Sequence, residues 1–235
     1  MRWPLVLVLA TAGCTTGSDF IYPWDGRGVV CSNGIDDYLG EPAWDLIGDS
    51  LDVAAEHGWV TMLHAHEPGA TIQLATLERV LTMAEDRHLE LVTFRDFETL
   101  SPRGGLALAF DDNQPTAWLL ARDLLLAHHA RVTFFVTRWK YLTDAEHDEI
   151  RLLAADGHDL QPHSVDHLHA NDYVAEHGVD GYLADEVLPS FEPLAAEGYP
   201  PTTYAYPFGD RSDALDAAIL EHVAHVRTTL GPCPY

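Results

Sequence analysis

Short apolar runs alternate with stretches patterned for helix, and this alternation limits the possible folds more than any other feature of the chain. Strand-like runs fall near residues 29–31, 60–64, 91–94, 106–110, 133–137, 158–160, 203–206 and 225–228. Helix-like stretches separate them. One spans 71–88, with Ile72, Leu74, Leu77, Val80, Leu81 and Ala84 at helical spacing. Strands joined through helices are crossover units, and crossovers build parallel sheets. A chain of 235 residues suits one such α/β barrel with a single core. There is no internal repeat and no low-complexity tract. Residues 99–105, rich in Pro and Gly, read as a linker.

Two of these runs end in groups that carry chemistry. Leu106-Ala-Leu-Ala-Phe-Asp-Asp112 is an apolar strand terminated by two carboxylates. His163-Ser-Val-Asp-His167 places two imidazoles four residues apart, on one face if the segment makes a helical turn. One carboxylate with two imidazoles forms a metal site that leaves a coordination position open, and a second carboxylate beside it can serve as a base. That is the equipment for metal-assisted hydrolysis. Each half also has a bland reading. Asp112 or Asn113 could cap a helix starting near Pro115. With 14 histidines in the chain, roughly one pair at spacing four arises by chance.

The surroundings of the two motifs favour the chemical reading. Phe110-Asp111-Asp112, Ala130-Arg-Val-Thr-Phe-Phe-Val136, Asp156-Gly-His-Asp-Leu-Gln-Pro-His-Ser-Val-Asp-His167 and Tyr204-Ala-Tyr-Pro-Phe-Gly209 follow in order. From Leu106 to Thr229 the chain resembles the polysaccharide deacetylase family, the NodB-like domain of carbohydrate esterase family 4. The resemblance implies a distorted (β/α) barrel and removal of N-acetyl groups from an amino-sugar polysaccharide. It implies that Asp111 is the catalytic base. It also implies that Asp112, His163 and His167 bind one divalent ion, usually Zn2+. Phe208, after Pro207, stands where a backbone N–H helps hold the oxyanion. The family's general-acid histidine belongs to a late motif, and nothing after Thr229 supplies one.

That motif resembles Gly58-Trp-Val-Thr-Met-Leu-His-Ala-His-Glu-Pro68, a strand ending in His64 and His66 and followed by helix and strand. In the family this segment closes the domain, whereas here it precedes the Asp-Asp strand, so the barrel is expected to be circularly permuted. The competing reading is an unrelated leader over residues 25–100. His66 is preferred as the acid, with His64 as the alternative. The family often carries an Arg two residues before the Pro equivalent to Pro207. Here that position is Ala205, and Arg227 is a candidate to brace Asp111 in its place.

Thirteen basic and 37 acidic side chains give a net charge of −24, spread along the chain. This argues for a soluble acidic surface and against a nucleic-acid partner, which needs a basic footprint. Met1-Arg2, an apolar run over 5–10 and Thr11-Ala-Gly-Cys14 resemble a lipoprotein leader. The division expected is a signal peptide over 1–13, a tether over 14–24 and one domain over 25–235. The protein would then be exported and held at the bacterial envelope through lipid on Cys14, or simply secreted. Cys31 and Cys233 would be free to bridge there. Trp118, Trp139, Tyr173 and Phe208 are candidates to line a sugar groove, core packing being the ordinary use of aromatics. Two other functions are compatible with the pattern: an inactive carbohydrate-binding lipoprotein on the same fold, and an amide hydrolase for a small molecule. If Cys14 carries lipid, Cys14→Ser should move the exported protein from the membrane fraction to the soluble one. Unchanged fractionation would exclude the anchor.

Overall fold

The computed structural model describes residues 20–38, 40–98 and 103–229. The expected leader, the tether up to residue 19, Cys14 and Cys233 lie outside these. The described strands are β1 (Ile21–Tyr22), β2 (Val29–Gly34), β3 (Val60–Ala65), β4 (Glu90–Leu91), β5 (Gly105–Asp112), β6 (Thr133–Val136), β7 (Asp159–Pro162), β8 (Thr203–Ala205) and β9 (His225–Thr229). Seven of them form one ribbon in the order β7-β6-β5-β3-β2-β9-β8. Every pairing along that path is parallel. Two short strands fill the base of the ribbon. β1 runs antiparallel to the start of β3, and β4 pairs with the start of β5 below the point where β6 joins. The helices include α1 (Trp44–His57), α2 (Leu74–Glu85), α3 (Pro115–Trp118), α4 (Arg122–Ala127), α5 (Asp144–Ala155), α6 (Ala170–Tyr182), α7 (Leu188–Ala196) and α8 (Asp213–Ile219).

The period-two alternation of a strand divides each one between two layers. On β5, Leu106, Leu108 and Phe110 join the outer core with Ile47, Leu51, Leu77, Val80 and Leu81 from α1 and α2. Burying each of these side chains contributes about 1.5–3 kcal/mol. Ala107 and Ala109 instead face the barrel interior, packed with Val30, Val60, Met62, Phe135 and Ala205 over a floor that includes Tyr22, Phe94 and Phe97. Asp111 continues this inner row, so the strand that builds the core also delivers a carboxylate above it.

The ribbon nearly closes into a barrel, and side chains make the join between β7 and β8. The Gln161 Oε1 accepts the Thr202 and Thr203 N–H groups at 3.0 and 3.1 Å. Its Nε2 donates to Asp159 Oδ2 at 2.9 Å and to Thr202 Oγ1 at 3.0 Å. One level higher, His163 Nδ1 meets the Ala205 carbonyl at 2.9 Å.

Four local expectations need correction. His163–His167 is not a helical turn: the His163 N–H still bonds the Val136 carbonyl of the neighbouring strand. Beyond it, Ser164 and His167 take positive φ of 67° and 60°, which no helix allows. Neither Asp112 nor Asn113 caps α3. Its N-cap is Gln114, without a side-chain bond, and Pro115 at the first position removes the need for one donor. The run over 91–94 is extended only at Leu91, because the Asp96 carboxylate captures the Thr93 N–H at 2.9 Å and turns the chain into a 3-10 helix, Phe94–Glu98. The helix expected over 71–88 is confined to α2. Asp37 holds the Gln73 N–H at its start, and His88 leaves the helical region with φ 57°.

Gln161 is fully buried, so Gln161→Leu would strand two backbone donors at the seam. The expected loss is about 2–6 kcal/mol, from about 1–3 per orphaned buried group, read by chemical denaturation. An unchanged midpoint would show that the seam does not depend on this amide.

Candidate active site

The upper end of the barrel interior is polar. Asp111 on β5 and Arg227 on β9 meet there, both almost fully buried, with Arg227 Nη2 donating to Asp111 Oδ2 at 2.5 Å. The guanidinium carbon lies 4.8 Å from the centre of the Phe135 ring, and Nη1 reaches Ser32 Oγ at 3.4 Å. Burial pushes the Asp111 carboxyl up, but the charge of Arg227, with His163, His64 and His66, outweighs it and holds the group well below the usual carboxylate range. Register explains how Arg227 gets there. It pairs across the ladder with Ala205, whose methyl group leaves the space the guanidinium crosses. The Asp111 Oδ1 has no hydrogen-bond partner among the described residues. One carboxylate oxygen is thus fixed and the other is open.

Asp112, His163 and His167 converge beside it, with one ligand atom from each lying within 4.8 Å of the others. Asp112 Oδ1 is 3.1 Å from His167 Nε2 and 3.8 Å from His163 Nε2. Donor atoms about 2 Å from a tetrahedral ion lie about 3.3 Å apart, so these residues fit a divalent metal. The Ala205 carbonyl fixes the His163 tautomer: Nδ1 carries the proton and Nε2 is left as the donor atom. Burial, chiefly, pushes His163 down to about 4, the neighbouring charges partly cancelling, so its imidazole is neutral at pH 7. Backbone strain concentrates at this point. Asp112, Ser164, His167 and Phe208 all have positive φ, a conformation non-glycine residues keep only where surrounding contacts impose it.

His64 and His66 both reach the site, from β3, the strand beside β5. Their environments differ. His64 is buried, its Nδ1 2.9 Å from Ser32 Oγ, and desolvation pushes it down to about 3. His66 lies just past the strand end with its side chain 36 % exposed. Its Nδ1 meets Asp36 Oδ2 at 2.5 Å, and the same carboxylate accepts its backbone N–H and the Thr71 hydroxyl. Burial would lower the His66 imidazolium, but the Asp36 hydrogen bond and the charges of Asp111, Asp36 and Asp112 raise it to about 9. The sequence reading missed Asp36. A signal was present: Ile35-Asp36-Asp37 follows an apolar strand, as Asp111-Asp112 does.

Pro207 and Phe208 follow β8. Phe208 is half exposed, stacks on His169 with ring centres 3.9 Å apart and meets His167 edge-on at 4.6 Å. The turn needs Gly209 at φ 67°, where a Cβ would come within 2.9 Å of the Thr229 nitrogen. Of the other aromatic candidates, Trp118 is core, its Nε1–H donating to the His66 carbonyl at 3.0 Å. Trp139 packs against the outer core, and Tyr173 donates to Asp185. Neither is part of the constellation around Asp111. Cys31, on β2, is disulfide-bonded; its partner lies outside the described residues. None of the described helices is long and apolar enough to cross a membrane.

The family model for polysaccharide deacetylase matches residues 101–225. No curated protein sequence matches the chain. Among solved structures, IcaB from Ammonifex degensii is 16% identical with TM-score 0.60, the match covering 73% of this chain and 85% of that one. The Streptococcus pyogenes deacetylase PplD, in complex with acetate, is 17% identical with TM-score 0.56, over 69% of this chain and 80% of its own. A de-N-acetylase from Aggregatibacter actinomycetemcomitans is 15% identical with TM-score 0.56, over 73% and 94%.

Arg227→Met should leave Asp111 buried without its cation, at a cost of about 3–5 kcal/mol. The pH dependence has a definite sign. With its folded pKa depressed, Asp111 contributes stability that is present above the unfolded value of about 4 and is lost as pH falls through the folded one. In Arg227→Met burial dominates and the carboxyl titrates upward, so the deficit should be largest at neutral pH and shrink towards pH 4. Denaturant titrations at pH 7 and pH 4 would measure it; an equal deficit at both would rule out the ion pair as its source.

Proposed function

Because the chain belongs to the polysaccharide deacetylase family, we propose that it is a metal-dependent hydrolase that removes N-acetyl groups from an amino-sugar polysaccharide. The observation that carries this reading is the open, buried Oδ1 of Asp111 beside the Asp112, His163 and His167 donor set. A divalent ion held by those three residues, Zn2+ by donor type, would supply Lewis-acid polarisation of the acetamide carbonyl. Asp111, braced through Oδ2, takes the proton of the attacking water at Oδ1. The Phe208 N–H assists the oxyanion that develops on the carbonyl. His66, kept protonated by Asp36, gives its proton to the departing amine. His64 is buried and neutral, which favours His66 for this step. Arg227 supplies the brace that Ala205 lacks, and this weighs against an inactive binding protein on the same scaffold.

Circular permutation is part of the proposal. The family match begins at residue 101, yet β3 carries His64, leads directly into His66, and lies between β5 and β2, which itself pairs with β9. The structural likeness to IcaB covers 73% of the chain, more than the matched segment. Export and lipid attachment at Cys14 rest on the sequence of the first 14 residues.

Acetate release from acetylated chitooligosaccharides and from peptidoglycan tests the reading directly. Neither substrate reacting would refute it. His167→Ala should lose stoichiometric metal by elemental analysis, while Asp111→Asn should keep it and lose activity by about two to four orders of magnitude. Metal loss in Asp111→Asn would mean that the two aspartates exchange roles. Asp36→Asn should move the alkaline limb of the kcat/KM profile to lower pH, because it removes a group that raises His66. An unmoved limb would assign the acid elsewhere.

A further inference from the structure

The loop that bears the two candidate ligand histidines has little structure of its own. β7 ends at Pro162, and the next five residues include two non-glycine positions at positive φ, Ser164 and His167. Such conformations cost of order 1 kcal/mol each and persist only when neighbours enforce them. The enforcing groups can be named. Ser164 and Val165 carbonyls accept from the Thr137 hydroxyl and the Arg138 N–H at 3.1 Å each. The His167 N–H donates to Ser164 Oγ at 2.9 Å. Two consecutive amides, those of Val165 and Asp166, go to a single residue. The Val165 N–H donates to the Glu186 backbone carbonyl at 3.1 Å, and the Asp166 N–H donates to Glu186 Oε2 at 2.9 Å.

Glu186 is an unusual choice for a bracket. It is 2 % exposed, and no Lys or Arg forms an ion pair with it among the described residues. Burying a carboxyl without a cation is costly. Burial, with the charge of Asp166, pushes its titration up, opposed by the Asp166 amide, the Ser164 hydroxyl and the Val165 amide. All three opposing groups belong to the ligand loop. The residue sits in a π-helical turn, Leu183–Val187, between α6 and α7, a widened turn frequent at functional sites. A carboxyl retained at this cost, directed only at the ligand loop, is explained by what it holds.

We propose that Glu186 is a positioning residue whose acceptor oxygen sets the spacing of His163 and His167 for metal binding; this rests on the metal site proposed above. The test compares Glu186→Leu, Glu186→Asp and Glu186→Gln in the otherwise intact protein. Zn2+ affinity is read by competition with a chromophoric chelator, and amide hydrogen exchange is followed in the metal-free protein. Glu186→Leu should weaken Zn2+ by about 10–100-fold, the usual scale for a partner of a metal ligand, and speed exchange at Val165, Asp166 and His167 without changing β6. Glu186→Asp keeps a carboxyl but withdraws the acceptor, so it should weaken Zn2+ as well, and it decides the matter if the Leu variant does not fold. Glu186→Gln keeps an acceptor and should restore most of the affinity. Wild-type affinity and exchange in folded Glu186→Leu or Glu186→Asp would overturn the proposal, as would a loss in Glu186→Gln equal to that in Glu186→Leu. A wild type that takes up no Zn2+ would refute the metal reading instead, and loop exchange would then decide the role of Glu186 by itself.

Discussion

An ion pair sealed inside the barrel organises everything above it. Arg227 and Asp111 face each other from strands that are not neighbours, β9 and β5, across an interior otherwise lined by small and apolar side chains. Two charges taken out of water are stable only with good geometry and mutual satisfaction. The surrounding sequence is consistent with that demand. Ala205 makes room, Phe135 presents a ring face to the guanidinium, and Ser32 links Nη1 to the imidazole of His64. The pair orients Asp111 so that one oxygen is committed and the other free. The site depends on that asymmetry more than on the mere presence of a carboxylate.

The parts of this arrangement that could be read from sequence are those with a local pattern. β5 is a strictly apolar run cut off by two acids, so its existence follows from the run itself, while the choice of Asp111 over Asp112 as base came from the family resemblance. His163 and His167 were legible as a pair, but spacing four is shared by a helical turn and by an irregular loop after a strand, and periodicity cannot separate the two. Arg227 could be named only because a family position was vacant at Ala205. Asp36 had only the weaker signal of a second Asp-Asp after a strand, and Gln161 and Glu186 left no comparable trace. Each acts through hydrogen bonds to backbone far away in sequence, 41 residues for Gln161 to Thr202, 30 for Asp36 to His66 and 20 for Glu186 to Asp166. A side chain that closes a barrel or braces a loop has no periodicity of its own.

The candidate site also shows how two kinds of support divide the task. The inner carboxylate is held by a charge, in a place where water is excluded. The outer ligands are held by hydrogen bonds: the Ala205 carbonyl on His163, the Ser164 hydroxyl on the His167 amide, and Glu186 on the loop between them. The Ala205 carbonyl accepts from His163 Nδ1 and leaves Nε2 with a lone pair to donate, whereas a cation in the same position would compete with a metal.

The position of β9 between β2 and β8 has a consequence for how the protein comes into being. Ser32 and Arg227 touch although 195 residues separate them, so β2 waits for its neighbour until those residues have been synthesised. Until β9 arrives, Asp111 has no cation and the interior cannot close around it with its charge intact. A chain still emerging, or one cut short before residue 225, lacks both the wall and the brace. Insertion of β9 therefore decides whether Asp111 is enclosed with its cation or without it.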